Sequence, residues 1–329
     1  MGDELTRIRA FEKHGNAHLK AADRALKQIQ IANAPMLKYF DAVDLWNKAG
    51  KCFGIATEWE DAAHAYSKAA DCMANIGKPH EAAVFSLKSA EMMRRIDPAE
   101  AIDSYHNAVS MYCEIGRFYS AANITVGIAE LFEQDRNNAD ALEHYRQASD
   151  YYNGENYIAQ SCICLLKVAY HAALLSRFEY ATETYTKVAK VYIHDNLLRL
   201  NLHEIFLKGG ICQIAAGGRI KDGLLAHKVL KEYLMIWEDL DYSFKTSREH
   251  LFLTNLLLII PKADLNIFVD HVYNFDNVYG LDSWCLRLLN RVKEDIEEEV
   301  NRAFEEKKQK ESEAKHLEDI KAGLVSEFA

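Results

Sequence analysis

The 329-residue chain predicts an all-α fold: a solenoid of helical hairpins, then a C-terminal helical bundle and an extended final helix. Three observations predict it. The first is a forty-residue pulse. Ala62-Ala63-His64-Ala65-Tyr66, Ala101-Ile102-Asp103-Ser104-Tyr105, Ala141-Leu142-Glu143-His144-Tyr145 and Ala181-Thr182-Glu183-Thr184-Tyr185 each run from Ala to Tyr. Seven residues after the first Ala stands Ala69, Ala108, Ala148 or Val188, and eleven after it Met73, Tyr112, Tyr152 or Tyr192. Offsets of four, seven and eleven place these residues on one helical face. The second is another apolar set half a period out of phase: Ala42, Trp46, Ala49 and Phe53, then Ala82, Ala90 and Met93, then Ala121, Ile128 and Phe132. The third is the placing of breaks. Only four prolines occur, at expected breaks, and no β-rich, turn-punctuated stretch is present. Two helices per fixed-period unit describe stacked hairpins, an architecture that holds other proteins far more often than it does chemistry.

The elements follow in order. A first helix is predicted over 3–30, carrying Leu5, Ile8, Phe11, Leu19, Ala22 and Leu26 on its apolar side. Asn33 and Pro35 then break the chain, yet the break carries Ile29, Ile31, Met36, Leu37 and Phe40. Such an apolar connection either tucks into the first hairpin or stays exposed as a contact site. Residues 1–40 therefore form an N-terminal helix with an apolar loop. Hairpins fill 37–238, with turns near 57, 77, 96, 116, 137, 154, 177, 195 and 218. Asp97-Pro98-Ala99-Glu100 has the form of an N-cap, a first-turn proline and a capping-box acid, and Gly77 and Gly116 that of helix stops. Residues 239–304 depart from the pulse and form the bundle: helical pieces at 244–260 and 263–274, a turn from Asn274 to Gly280, and a last helix from about Leu281. Its stripe of Trp284, Leu288, Val292, Ile296, Val300 and Phe304 is expected to cap the solenoid. Residues 305–329 are a charged extension, solvated or frayed, with the apolar tip Leu324-Val325-Ser326-Glu327-Phe328.

Composition excludes several classes of function. A net charge of −10 disfavours nucleic acid as a partner. The charge is uneven, +3 over residues 1–40 and −4 over 291–329, which either marks two partners at two ends or reflects solvated helix faces. The first thirty residues are amphipathic and charged, unlike a signal peptide. The longest apolar run, Leu251 to Ile260, is half the length a bilayer requires. Seven cysteines without framework spacing fit a reducing compartment.

No catalytic constellation emerges. His203-Glu204-Ile205-Phe206 begins like a zinc-protease helix, but Leu207 stands where the second histidine belongs. Cys162 and Cys164 lack a second pair, there is no glycine-rich phosphate loop, and the thirteen histidines do not cluster along the sequence. Gly209-Gly210 and Gly217-Gly218 suit close helix approach or a C-cap. The expectation is a non-enzyme with no metal and no cofactor.

The same residues resemble a known family. Cys113-Glu114-Ile115-Gly116-Arg117-Phe118, Ala121-Ala122 and Ile128-Ala129-Glu130-Leu131-Phe132-Glu133 are similar to the middle of the soluble NSF attachment proteins, the SNAP family, in its alpha/beta branch rather than gamma. So are Ala148-Ser149-Asp150-Tyr151-Tyr152 and Cys164-Leu165-Leu166-Lys167-Val168-Ala169. Gly210-Ile211-Cys212-Gln213 and Leu281-Asp282-Ser283-Trp284 with Leu289-Asn290-Arg291-Val292-Lys293 resemble the family's C-terminal bundle. The resemblance runs from about residue 40 to 297.

It implies a TPR-like, right-handed α-solenoid whose concave basic face lies along the acidic SNARE four-helix bundle (syntaxin-type proteins). It implies an apolar loop touching the membrane, and a C-terminal end that binds the hexameric ATPase NSF and stimulates it, so that NSF dismantles the SNARE complex in vesicle trafficking. The chain would be cytoplasmic and peripheral on membranes. By resemblance, Arg117, Lys167 and Arg248 are the SNARE-facing basic residues. Ile29, Ile31, Met36, Leu37 and Phe40 are the membrane contacts, and Glu297, Glu298, Glu299 and Leu324 the NSF contacts. Asn123 and Ile163 stand where the family generally carries lysines, His203 replaces a third, and this chain runs some thirty residues beyond the family's usual end near Glu299. The alternative is a scaffold that kept the fold and changed its SNARE or NSF partners.

Overall fold

The computed structural model describes the backbone of residues 2–32, 37–195, 197–217 and 220–327, and the side chains of 6–28, 39–195, 197–217 and 227–311. Among them every regular element is helical. The order is α1 Gly2–Ala32, α2 Leu37–Ile55, α3 Trp59–Asn75, α4 Pro79–Met93, α5 Pro98–Glu114, α6 Phe118–Gln134, α7 Asn138–Gly154 and α8 Ile158–Leu174. There follow α9 Phe178–Tyr192, α10 Leu202–Ala216, α11 Ile220–Leu240, α12 Arg248–Ile259, α13 Leu265–Tyr279 and α14 Ser283–Glu327. The chain forms two compact units, Met1–His171 and Ala172–Ala329.

The first unit is a run of hairpins in which each helix packs on the next. The pulse supplies the reason. Ala62, Ala101 and Ala141 have no exposed surface, so neighbouring helices approach closely there, while Tyr66, Tyr105 and Tyr145 fill the wider space one turn on. Trp46 and Phe53 of α2 do the same for the alternate helices. Cores form between consecutive helices, one of them from Ala42, Val43, Trp46, Ala69, Cys72, Met73 and Ala82.

The joints share one geometry. Thr57 (φ 63°), Gly77 (73°), Gly116 (70°), Arg136 (59°), Asn156 (62°) and Ser176 (60°) turn left-handed, about twenty residues apart. After each, the next backbone N–H donates to the carbonyl five residues back, as in Glu58 to Phe53 (3.0 Å), Arg117 to Tyr112 (2.8 Å) and Tyr157 to Tyr152 (2.9 Å). This bond satisfies a carbonyl that the ending helix leaves open. The α4–α5 joint differs: Asp97 caps α5 by accepting from Ala99 N–H (2.8 Å) and Glu100 N–H (3.4 Å), with Pro98 at the first helical position.

The second unit is built around α10, most of which is buried. A Cβ on Gly209 would stand 3.2 Å from the Trp237 ring, and one on Gly210 would stand 2.5 Å from Leu253 Cδ1, so the paired glycines admit α11 and α12 against one helix. Trp237 Nε1–H donates to Thr186 Oγ1 (3.0 Å), and Trp284 stacks on Tyr185 at 6.5 Å.

Two expectations are corrected here. The turn expected from Asn274 is helix as far as Tyr279, because Phe275 stacks on Phe252 at 4.1 Å, and the chain turns only at Gly280 (φ 70°). In α14, Trp284, Leu288, Val292 and Ile296 are buried, but Val300 and Phe304 are exposed, so the stripe leaves the core one turn after Ile296. The helix continues to Glu327, and residues 305–311 are exposed.

Candidate functional site

The even-numbered helices of the first unit share a solvent-facing stripe. On α2 it carries Asp44, Lys48 and Lys51, on α4 Val84, Lys88 and Glu91, on α6 Asn123, Gly127 and Glu130, and on α8 Ile163, Lys167 and Tyr170. The four helices align at the period of the pulse, so Lys48, Lys88, Gly127 and Lys167 occupy one equivalent position. Lysines on the same face of successive parallel helices make a cationic row suited to an elongated acidic partner.

Each of Lys48, Lys88 and Lys167 is tethered. Lys48 Nζ lies 2.6 Å from Asp44. Lys88 Nζ donates to Asn47 Oδ1 (3.5 Å) and sits over the rings of Phe85 (4.8 Å) and Tyr66 (5.7 Å). Partial burial, then the neighbouring charge of Lys51, pulls the Lys88 ammonium below the usual lysine range. Lys167 Nζ donates to both carboxylate oxygens of Glu133 (2.9 and 3.0 Å), and Tyr145 O–H donates to the same carboxylate (2.8 Å). Burial pushes Glu133 up, but the bonds from Lys167 and Tyr145 outweigh it and hold the carboxyl below its ordinary range. Beneath lies His171, fully buried, its Nδ1 3.0 Å from Asn138 Oδ1 and its ring stacked on Tyr145 at 5.6 Å.

The row is interrupted at α6. Gly127 lies mid-helix, and a Cβ there would meet nothing within 4 Å. Asn123 accepts from Tyr152 O–H (2.6 Å), and Ile163 on α8 is 58% exposed.

The residues singled out from sequence fall unevenly on this surface. Lys167 lies in the row. Arg117 is exposed at the N-cap of α6. Arg248 belongs to the second unit, where it opens α12, donates to Glu249 (2.7 Å) and covers the Tyr279 ring at 4.0 Å. There His203 lies 3.2 Å from both Asp241 and Ser243. Glu297 and Glu298 on α14 are exposed, whereas Glu299 pairs with Arg302 (3.0 Å). Phe40 packs partly against the α1–α3 core. The side chains of Ile29, Ile31, Met36, Leu37 and Leu324 lie outside the described residues. Lys48, Lys51 and Lys88 were not singled out. The signal for Lys48, Lys88 and Lys167 was their spacing of forty and seventy-nine residues, hidden because the pulse is most visible in its apolar positions.

The buried cysteines Cys162 and Cys164 belong to the α8 packing face, and burial pushes the Cys164 thiol up to about 11. Among the described residues no three of His, Cys, Asp or Glu are grouped to hold a metal, and no helix is long and apolar enough to cross a membrane.

The sequence model of the family described as Soluble NSF attachment protein, SNAP, matches residues 13–297. The chain is 30% identical over 296 residues to an alpha-soluble NSF attachment protein of Vitis vinifera, covering 90% of this chain and 96% of the relative. It is 29% identical over 291 residues to the human alpha-soluble NSF attachment protein, covering 87% and 96%. It is 30% identical over 258 residues to the beta-soluble NSF attachment protein of Bos taurus, covering 78% and 84%. The chain thus belongs to the soluble NSF attachment protein family, with relatives in its alpha and beta branches.

Proposed function

We propose that this chain is a vesicle-trafficking adaptor that binds the SNARE four-helix bundle along its even-helix stripe and recruits and stimulates NSF through α14. The carrying observation is the lysine row Lys48, Lys88 and Lys167, which presents cations at the repeat of the fold itself. Membership of the family supports these partners. The tethers matter for strength: an acidic helix must compete with Glu133 for Lys167 and with Asp44 for Lys48, so the row discriminates by shape and register as well as charge. The apolar connection before α2 is the proposed membrane contact, and Glu297 and Glu298 the proposed NSF contacts.

The test is co-sedimentation of an assembled SNARE bundle and NSF with the chain, wild type and Lys48→Glu/Lys88→Glu/Lys167→Glu. The wild type should bind, binding should fall as salt shortens the screening length to below about 8 Å, and the triple variant should lose the bundle with an unchanged helical circular dichroism spectrum. Undiminished binding by the triple variant would reject this surface.

A scaffold that kept the fold but changed partners is the second reading. The uncharged break at Asn123, Gly127 and Ile163 favours it, and it predicts NSF binding without binding of an acidic bundle.

A further inference from the structure

The fold brings together two histidines that the sequence holds thirty-eight residues apart. His106 on α5 and His144 on α7 face each other with their Nε2 atoms 3.3 Å apart and their ring centroids 5.1 Å apart. His144 Nδ1 lies 2.8 Å from the backbone carbonyl of Asp140. A carbonyl only accepts, so Nδ1 carries a proton, and Nε2 is the nitrogen that His144 turns toward His106. The Phe132 ring, 5.1 Å from that of His144, packs the imidazole in this orientation.

The two nitrogens meet at a hydrogen-bonding separation, which is also the separation of two ligands on one shared ion. Two nitrogens bound tetrahedrally at about 2.05 Å from zinc stand about 3.3 Å apart, and their ring centroids about 5.2 Å apart. A ring nitrogen fixed by a backbone carbonyl is also how ligating histidines are ordinarily oriented.

We propose that His106 and His144 are a two-imidazole site for one borderline divalent transition-metal ion such as zinc, which clips α5 to α7 with solvent in its remaining positions. Imidazole pairs select zinc, copper, nickel or cobalt over magnesium and calcium. Asp103, one turn before His106 on α5, adds negative charge beside the ion. The site lies on odd-numbered helices and does not depend on the lysine row.

The test uses the full chain at pH 7.5, titrated with zinc chloride and, separately, magnesium chloride. Imidazole nitrogen NMR should show the Nε2 signals of His106 and His144 moving together and saturating at one ion per chain, with no response to magnesium. Zinc should raise the melting temperature of the wild type and of His64→Gln, and fail to raise it in His106→Gln and His144→Gln. The proposal is overturned if the two Nε2 signals stay still while the protein takes up zinc elsewhere, if zinc has no effect at all, or if both variants keep the thermal shift.

Discussion

At the scale of single residues, two glycines with the same backbone make opposite demands. Gly210 lies against Leu253 so closely that a methyl group must displace a buried leucine, whereas Gly127 looks into open space. Gly210→Ala should destabilise the chain by about 1–3 kcal/mol through overpacking. Gly127→Ala should stabilise it by about 0.5–1 kcal/mol through helix propensity. Denaturant midpoints of the two variants check the contrast. The Glu133–Lys167 pair gives a pH-dependent counterpart. Glu133 ionises more readily in the folded chain than in the unfolded one, so its contribution is complete above the ordinary carboxylate range and fades as pH falls through the lowered folded value. A double-mutant cycle of Glu133→Gln and Lys167→Met should give a coupling of about 1 kcal/mol at pH 7, modest because both side chains are partly exposed. The coupling should fade as pH falls below the ordinary carboxylate range and through the lowered folded value of Glu133, and a pH-independent coupling would deny the ion pair its role.

At the scale of elements, α14 is two structures in one helix. As far as Ile296 it supplies buried side chains to the second unit, and over residues 305–311 all its described side chains are exposed. Truncation after Phe304 should leave the melting temperature within about 2 °C, since surface changes are worth about 0.5 kcal/mol or less. It should alter NSF ATPase stimulation. A large drop in melting temperature would show that the extension packs on the bundle. The helices were legible in sequence because the Ala-to-Tyr spacing, Pro98 and Gly116 each act locally. The end of α13 was not, since Asn274 and Asp276 resemble turn residues, and the packing of the Phe275 ring on Phe252 holds the segment helical. The site was legible only in part. Lys167 stands in a stretch that resembles known relatives, but Lys88 takes its place from Asn47 and Tyr66 on other helices, partners that no local pattern connects.

At the scale of the whole molecule, the cations named from sequence divide between the two units, Arg117 and Lys167 in one and Arg248 in the other. Arg117→Glu/Lys167→Glu and, separately, Arg248→Glu should therefore weaken SNARE binding by independent, additive amounts if both units touch the same partner. An Arg248→Glu variant that binds normally would confine the contact to the first unit. The recurring left-handed joints have a further consequence: the chain possesses a structural reading frame. Removing residues 117–156 would splice Gly116 to Tyr157, and Tyr157 would find the carbonyl of Tyr112 where it had found that of Tyr152. The edit is in frame, replacing one hairpin boundary by its equivalent. Removing residues 117–136 would splice Gly116 to Asn137 with an equally sound joint, yet set α5 beside α7 and reverse the direction of every helix that follows. The length of a tolerated deletion is thus set by the forty-residue frame, even though a joint recurs about every twenty.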